Sequence, residues 1–197
     1  MRAIKSVLVG AALVLLSGCG YNALQSQDEA VTATWADVVN NYQRRADLIP
    51  NLVAAVKGFA AQEQTVLIGV TEARAKVGTI QATPELVNDQ EALKKFQAAQ
   101  GELTQALKSL IAVTENYPQL KSDQNFRDLQ VALEGTENRI LRARELYIAA
   151  VQKYNTTVRS FPSNLTAKMF SHKVKASFTV ENEAAIAKPP TVDFGTK

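Results

Sequence analysis

The sequence predicts an all-α protein: an antiparallel up-and-down four-helix bundle with long helices and an irregular C-terminal tail. Three observations predict it. Residues 22–161 are rich in Ala, Leu, Gln, Glu, Lys and Val and poor in Gly and Pro, the composition of helices. Apolar residues recur there at alternating steps of three and four, the spacing that lines one face of a packed helix. Turn residues punctuate that pattern, and no sustained strand alternation competes with it.

The first run carries Leu24, Val31, Trp35, Val38 and Tyr42 on one stripe. The second carries Ile49, Leu52, Val56, Phe59, Val66, Val70, Ala73 and Val77. Between them stands Asp47-Leu48-Ile49-Pro50. Proline disfavours helix at the residue before it, and Asp47 is a good cap for a new start, so the stretch reads as a turn. A long helix carried through Pro50 is the alternative, because the three-four spacing continues from Leu24 to Val77. Val77-Gly78 ends the second run. Thr83-Pro84-Glu85 opens the third with a capping residue and a first-turn proline, ahead of Leu86, Leu93, Phe96, Leu103, Leu107, Leu110 and Tyr117. Pro118 ends it. Ser122 or Asp123 caps the fourth, which carries Phe126, Leu129, Leu133, Ile140, Ala143, Tyr147, Ala150, Tyr154 and Phe161 before Pro162. Such helices span about 20, 30, 33 and 38 residues, or roughly 30 to 57 Å. Short connections make neighbours antiparallel.

The N-terminus reads as a targeting segment. Arg2 and Lys5 precede the apolar run Val7–Leu16, which has signal-peptide length and is shorter than the ~20 apolar residues of a membrane span. Leu16-Ser17-Gly18-Cys19 looks like the cleavage site of a bacterial lipoprotein signal. That resemblance implies removal of residues 1–18 and acylation of Cys19, the single cysteine of the chain. Several acyl chains anchor a protein stably where one does not. The expected organisation is a lipoprotein signal over 1–18, a lipidated tether over 19–27, the helical bundle over 28–161 and the tail over 162–197. Gly20, rather than Asp, after the cysteine suggests the outer membrane, facing the periplasm.

The chain's net charge is +3, but Arg2 and Lys5 lie in the signal, so the mature protein is nearly balanced. That balance gives no general attraction for nucleic acid. Reactive groups are scarce: the single histidine, His172, reads as a solvated tail residue. With Cys19 acylated no thiol remains, and no phosphate-binding glycine loop is present. No cofactor or metal and no enzymatic activity is expected.

The informative polar residues are those where the stripe expects an apolar group: Asp28, Arg45, Glu63 and Gln100. A buried charge needs a partner. Glu63 and Arg139 fall at similar depths in the expected second and fourth helices, which predicts a Glu63–Arg139 pair, with Arg142 as the other candidate. Arg44, Arg45 and Asp47 either hold the expected turn or form an exposed recognition knob.

The residues also carry a family resemblance. Tyr21-Asn22, Leu24, Val31, Trp35 and Val38 precede Arg44-Arg45-Ala46-Asp47-Leu48-Ile49-Pro50-Asn51-Leu52-Val53. Glu72-Ala73-Arg74-Ala75, Glu115-Asn116-Tyr117-Pro118, Glu137-Asn138-Arg139-Ile140, Ala143-Arg144, Tyr154-Asn155 and Phe161-Pro162 follow. Together they resemble the LemA family of bacterial membrane-associated proteins. The resemblance implies a helical bundle attached to a membrane at its N-terminus, with most of the chain outside the cytoplasm. It implies no particular biochemical activity. Tyr147-Ile148 departs from the family's usual Tyr-Asn, and the lipoprotein signal stands where many members have a transmembrane segment. The function that fits best is a lipid-anchored, non-enzymatic scaffold or interaction module with a protein partner. A carrier for a lipid or other apolar ligand between helices is the alternative.

Overall fold

The computed structural model describes residues 2–179, with side chains described from residue 20 onward. Its elements are helical, with no strand among the described residues. They are α1 (Arg2–Phe59), α2 (Gln64–Gly78), α3 (Gln90–Thr114), α4 (Pro118–Ser122), α5 (Gln124–Arg159) and α6 (Ser163–Met169), with a 3-10 helix at Pro84–Asn88. Helix α5 runs antiparallel to α1: Trp35 stacks near Tyr147 (5.4 Å between ring centroids) and Arg45 meets Glu137 (2.9 Å). Helix α2 folds back along the end of α1, and α3 returns parallel to α1, with Phe96 against Trp35 (5.6 Å) and Thr104 on Arg45 (2.8 Å).

The turn expected at Pro50 is absent. Helix α1 continues through it to Phe59, and the chain turns instead over residues 60–63. Pro50 has no N–H for the carbonyl four residues earlier, and its ring crowds that carbonyl. The orphaned oxygen is Ala46 O, and Arg74 Nε of α2 donates to it at 3.0 Å. A side chain from the neighbouring helix therefore replaces the missing backbone donor. One consequence is that α2 has 15 residues, about half the length expected there.

Other boundaries shift for local reasons. Thr83 leads only into the 3-10 helix; the cap of α3 is Asp89, whose carboxylate accepts from the N–H groups of Glu91 and Ala92 at 2.8 and 3.2 Å. Asp123 caps α5 by accepting from Phe126 N–H at 2.9 Å. Phe59 and Phe161, expected on packing stripes, lie at or beyond helix ends and are exposed.

Two apolar clusters make up the core. One gathers Leu24, Val31, Trp35, Val38, Tyr42, Phe96, Ile140, Tyr147 and Tyr154; the other gathers Ile49, Leu52, Val56, Val70, Leu103, Leu107, Leu110, Phe126 and Leu133. Each such side chain contributes roughly 1.5–3 kcal/mol on burial.

The segment after Pro162 is less irregular than expected. Following α6, residues 172–179 lie extended on the bundle. Asn155 brackets Lys175, its amide donating to Lys175 O (2.9 Å) and its oxygen accepting from Lys175 N–H (2.8 Å). Gln97 brackets Thr179 in the same way, at 2.6 and 3.3 Å. Tyr147 Oη donates to Ala176 O at 2.7 Å. Phe178 is buried against Trp35 and Tyr147, with the Arg144 guanidinium 4.6 Å from its ring centre. His172 is not solvated as expected: it is half-buried, with Nδ1 3.0 Å from Tyr154 Oη. Burial, and the Asp28 charge, push the Tyr154 hydroxyl up to about 12. Burial raises Tyr147 as well.

Candidate functional site: a groove braced by Arg45

Arg45 lies on the buried stripe of α1, one turn beyond Tyr42 and one before Ile49, where the two core clusters meet. It is 1% exposed. Nη1 donates to Thr104 Oγ1 (2.8 Å) on α3 and to Glu137 Oε1 (2.9 Å) on α5. Nη2 donates to Gln100 O (3.3 Å) and to Gln100 Oε1. The guanidinium carbon also lies 5.1 Å from the centre of the Tyr42 ring. One planar fork from α1 thus ties α3 to α5, a geometry the point charge of a lysine does not reproduce. Glu137 is 38% exposed, so the ion pair is partly screened and the neutral bonds inside carry much of the fixation.

The other polar residues expected on the stripes also find partners. Asp28 pairs with Lys175 at 2.8 Å, joining α1 to the extended tail. The Glu63–Arg139 pair is replaced by other contacts. Because α1 runs to Phe59, Glu63 falls in the turn at one end of the molecule, not midway along a helix. There it accepts from Tyr117 Oη at 2.8 Å, and that bond to a carboxylate raises the Tyr117 hydroxyl. Arg139, midway along α5 and exposed, donates to Thr136 Oγ1 at 3.0 Å; Arg142 pairs with Glu145 at 3.1 Å. The three residues at 44, 45 and 47 do not act together. Arg45 points inward, Arg44 is exposed, and exposed Asp47 accepts from Gln43 Nε2 at 2.8 Å. Cys19 falls outside the residues whose side chains are described.

Sequence reasoning missed Arg74 and Glu137. A signal existed for Arg74: a proline within an uninterrupted three-four pattern orphans the carbonyl four residues earlier, and a donor must be found for it. Glu137 was missed because depth-matching was applied to Glu63 and not to Arg45, whose partner it is.

Beyond Arg45, α3 and α5 line an open groove. Leu107, Ile111 and Leu133 give it apolar surface, while Lys108, Glu115, Glu134 and Glu137 give it charge around a volume of about 590 Å³. It continues past Arg45 into a smaller volume of about 260 Å³ between Gln100, Leu141 and Arg144. From Gln100 to Glu115 the wall of α3 is roughly 22 Å long, about four helical turns. A separate cavity of about 480 Å³ opens between α1, α2 and α3, lined by Val39, Tyr42, Ala46, Arg74, Ile80 and Phe96 among others. Among the described residues no three His, Cys, Asp or Glu side chains are placed to hold a metal ion, and no helix is long and apolar enough to cross a membrane.

The chain is similar to the magnetosome proteins MamQ 1 and MamQ 2 of Paramagnetospirillum magneticum, each 28% identical over 195 residues, covering 91% of this chain and 71% of theirs. Magnetosome protein MamQ of Magnetospirillum gryphiswaldense is 27% identical over 169 residues, covering 78% of this chain and 62% of its own length. The family model described as "LemA family" matches residues 34–194, a span that includes Arg45, Arg74, Glu137 and the packed tail. The chain belongs to the LemA family.

Proposed function

We propose that this is a membrane-associated interaction protein, held at the bacterial envelope by acylated Cys19, that seats a helix of a protein partner in the α3–α5 groove and carries out no catalysis. The observation that carries the reading is the groove: an apolar floor with charged rims, about four turns long, whose walls Arg45 holds apart at a fixed spacing. An amphipathic helix laid in such a groove buries one face and leaves its charges at the rim. Relatives named magnetosome proteins fit a role tied to a bacterial membrane compartment. Arg44 and Asp47, exposed on α1, are a second candidate contact.

The lipoprotein signal and outer-membrane placement are tested by mass spectrometry of the N-terminal peptide and by membrane fractionation, with Cys19→Ser alongside. Acyl mass on the native protein, and solubility of the variant, are expected. An unmodified cysteine with equal fractionation of both proteins would overturn the anchor.

The cavity between α1, α2 and α3 favours a second reading, an apolar-ligand carrier. Its volume of about 480 Å³ lies in the range of small-ligand sites, roughly 300–1,000 Å³. Native mass spectrometry of the protein from its own membranes decides this reading: only bare protein mass would end it.

A further inference from the structure

Phe161, Leu165, Met169, Phe170 and Val174 are all exposed, Phe161 and Met169 by 80% and 76%. They cluster within and around the short helix α6, whereas the other exposed large apolar side chains are dispersed along the helices. Leu165 and Met169 are four apart in α6 and share a face. The opposite side of α6 buries Thr166 and Ala167, and Thr166 Oγ1 lies 3.3 Å from where a Gly20 side chain would begin. The Phe170 ring packs against Tyr21 in a tilted pair, 4.6 Å between ring centroids. The apolar patch is therefore fixed directly beside the residues that follow Cys19.

The segment that carries the patch is basic, although α1 brings Asp28 and Glu29 alongside it. Between Glu145 and Glu181 the chain contains Lys153, Arg159, Lys168, Lys173 and Lys175 and no acidic residue. Lys175 is engaged by Asp28, while Lys153, Arg159, Lys168 and Lys173 are exposed. Exposed apolar side chains interspersed in sequence with exposed cations match the interface of a membrane containing anionic lipid. A protein partner would need the same chemistry, but it would also have to fit where the anchor already holds the chain against lipid.

We infer that the Phe161–Val174 face is a second membrane contact: Phe161, Leu165, Met169 and Phe170 insert into the lipid interface, Lys168 and Lys173 meet anionic headgroups, and the bundle stands out from the bilayer. This inference rests on the proposed attachment through the N-terminus. It assigns the turn between α1 and α2 to the far end of the molecule, since the 39 residues from Tyr21 to Phe59 make a helix roughly 58 Å long.

The test uses the full acylated chain in vesicles of phosphatidylethanolamine and phosphatidylglycerol. An environment-sensitive fluorophore is attached through Leu165→Cys or Met169→Cys, with Gln62→Cys at the far end as control; acylation leaves the introduced thiol as the single reactive one. Because these positions are exposed, the substitutions should leave the fold intact, which circular dichroism verifies. Acyl-chain quenchers are expected to quench the labels at 165 and 169 roughly threefold or more beyond the label at 62, with less quenching when phosphatidylglycerol is omitted. Flotation of the same samples separates the two readings. Protein that floats with vesicles but shows equal quenching at all three positions would overturn the second contact and leave the anchor standing. Crosslinks between copies of the unlabelled Leu165→Cys or Met169→Cys protein with a bifunctional maleimide, without quenching of the labelled ones, would assign the patch to self-association and also overturn it. Protein that fails to float would remove both.

Discussion

Arg45→Ala should be among the most damaging single changes in this protein. The substitution removes donors to Thr104 Oγ1, Glu137 Oε1, Gln100 O and Gln100 Oε1 from a site 1% exposed. Gln100 is itself 4% exposed; its backbone oxygen keeps the bond from Thr104 Oγ1 (3.0 Å), but its side-chain oxygen loses the Arg45 donor where water cannot readily replace it. An unsatisfied buried polar group costs about 1–3 kcal/mol, and removing one member of a buried ion pair about 3–5 kcal/mol. Because Glu137 is 38% exposed and rehydrates, the expected total is about 3–4 kcal/mol rather than the sum. Equilibrium urea unfolding measures it as a fall in midpoint at unchanged slope. Glu137→Gln keeps an acceptor in place and should cost about 1 kcal/mol or less. Arg45→Lys should fall between, because an ammonium cannot serve both walls with a planar fork. A loss under about 1 kcal/mol for Arg45→Ala would refute the bracing role. Equal losses for Glu137→Gln and Arg45→Ala would show that the charge pair, and not the neutral network, carries it.

Three further outcomes follow from the geometry. Arg74→Ala should cost about 1 kcal/mol in the native background and much less in Pro50→Ala, where residue 50 regains an N–H for Ala46 O; additive effects in the double-mutant cycle would break the link. Phe178→Ala should cost about 2–4 kcal/mol and expose the tail to trypsin at Lys173 and Lys175, while unchanged cleavage would mean the tail is held by its backbone clamps alone. At alkaline pH the sign is set by Tyr154, whose hydroxyl stays protonated in the fold up to about 12. Above pH ~10 the unfolded chain loses that proton first, so stability should fall from there to about 12, by roughly 2 kcal/mol from this residue. Tyr147, also raised by burial, adds a loss of the same sign, so Tyr154→Phe should shrink that part of the fall without abolishing it, and an unchanged profile would assign the loss elsewhere.

What the sequence revealed differs between backbone and contacts. Periodicity located the core: Trp35, Ile49, Leu103, Phe126 and Tyr147 are all buried where the stripes put them. It also marked Asp28, Arg45, Glu63 and Gln100 as polar residues in need of partners, and each has one. It did not choose those partners. One misplaced turn at Pro50 moved Glu63 from a chain reversal to mid-helix, and depth-matching then selected Arg139. Local propensity at Pro50 argued for an end, but a tertiary hydrogen bond from Arg74 offset it; the unbroken spacing signals that a donor is needed at Ala46 O without saying which residue supplies it. The tail was underread for the same reason. Asn155, Gln97 and Tyr147 clamp its backbone, so its own composition says little about its order.

In the proposed function an anchored bundle presents the α3–α5 groove to a protein partner. The most direct test is photo-crosslinking in intact cells from Lys108 and Glu134 in the groove, with Glu29 on the exposed side of α1 as control, each with and without Cys19→Ser. The account predicts one discrete adduct from both groove positions, absent from position 29 and lost in the unanchored variant. Adducts equal at all three positions, or groove adducts indifferent to Cys19, would contradict it.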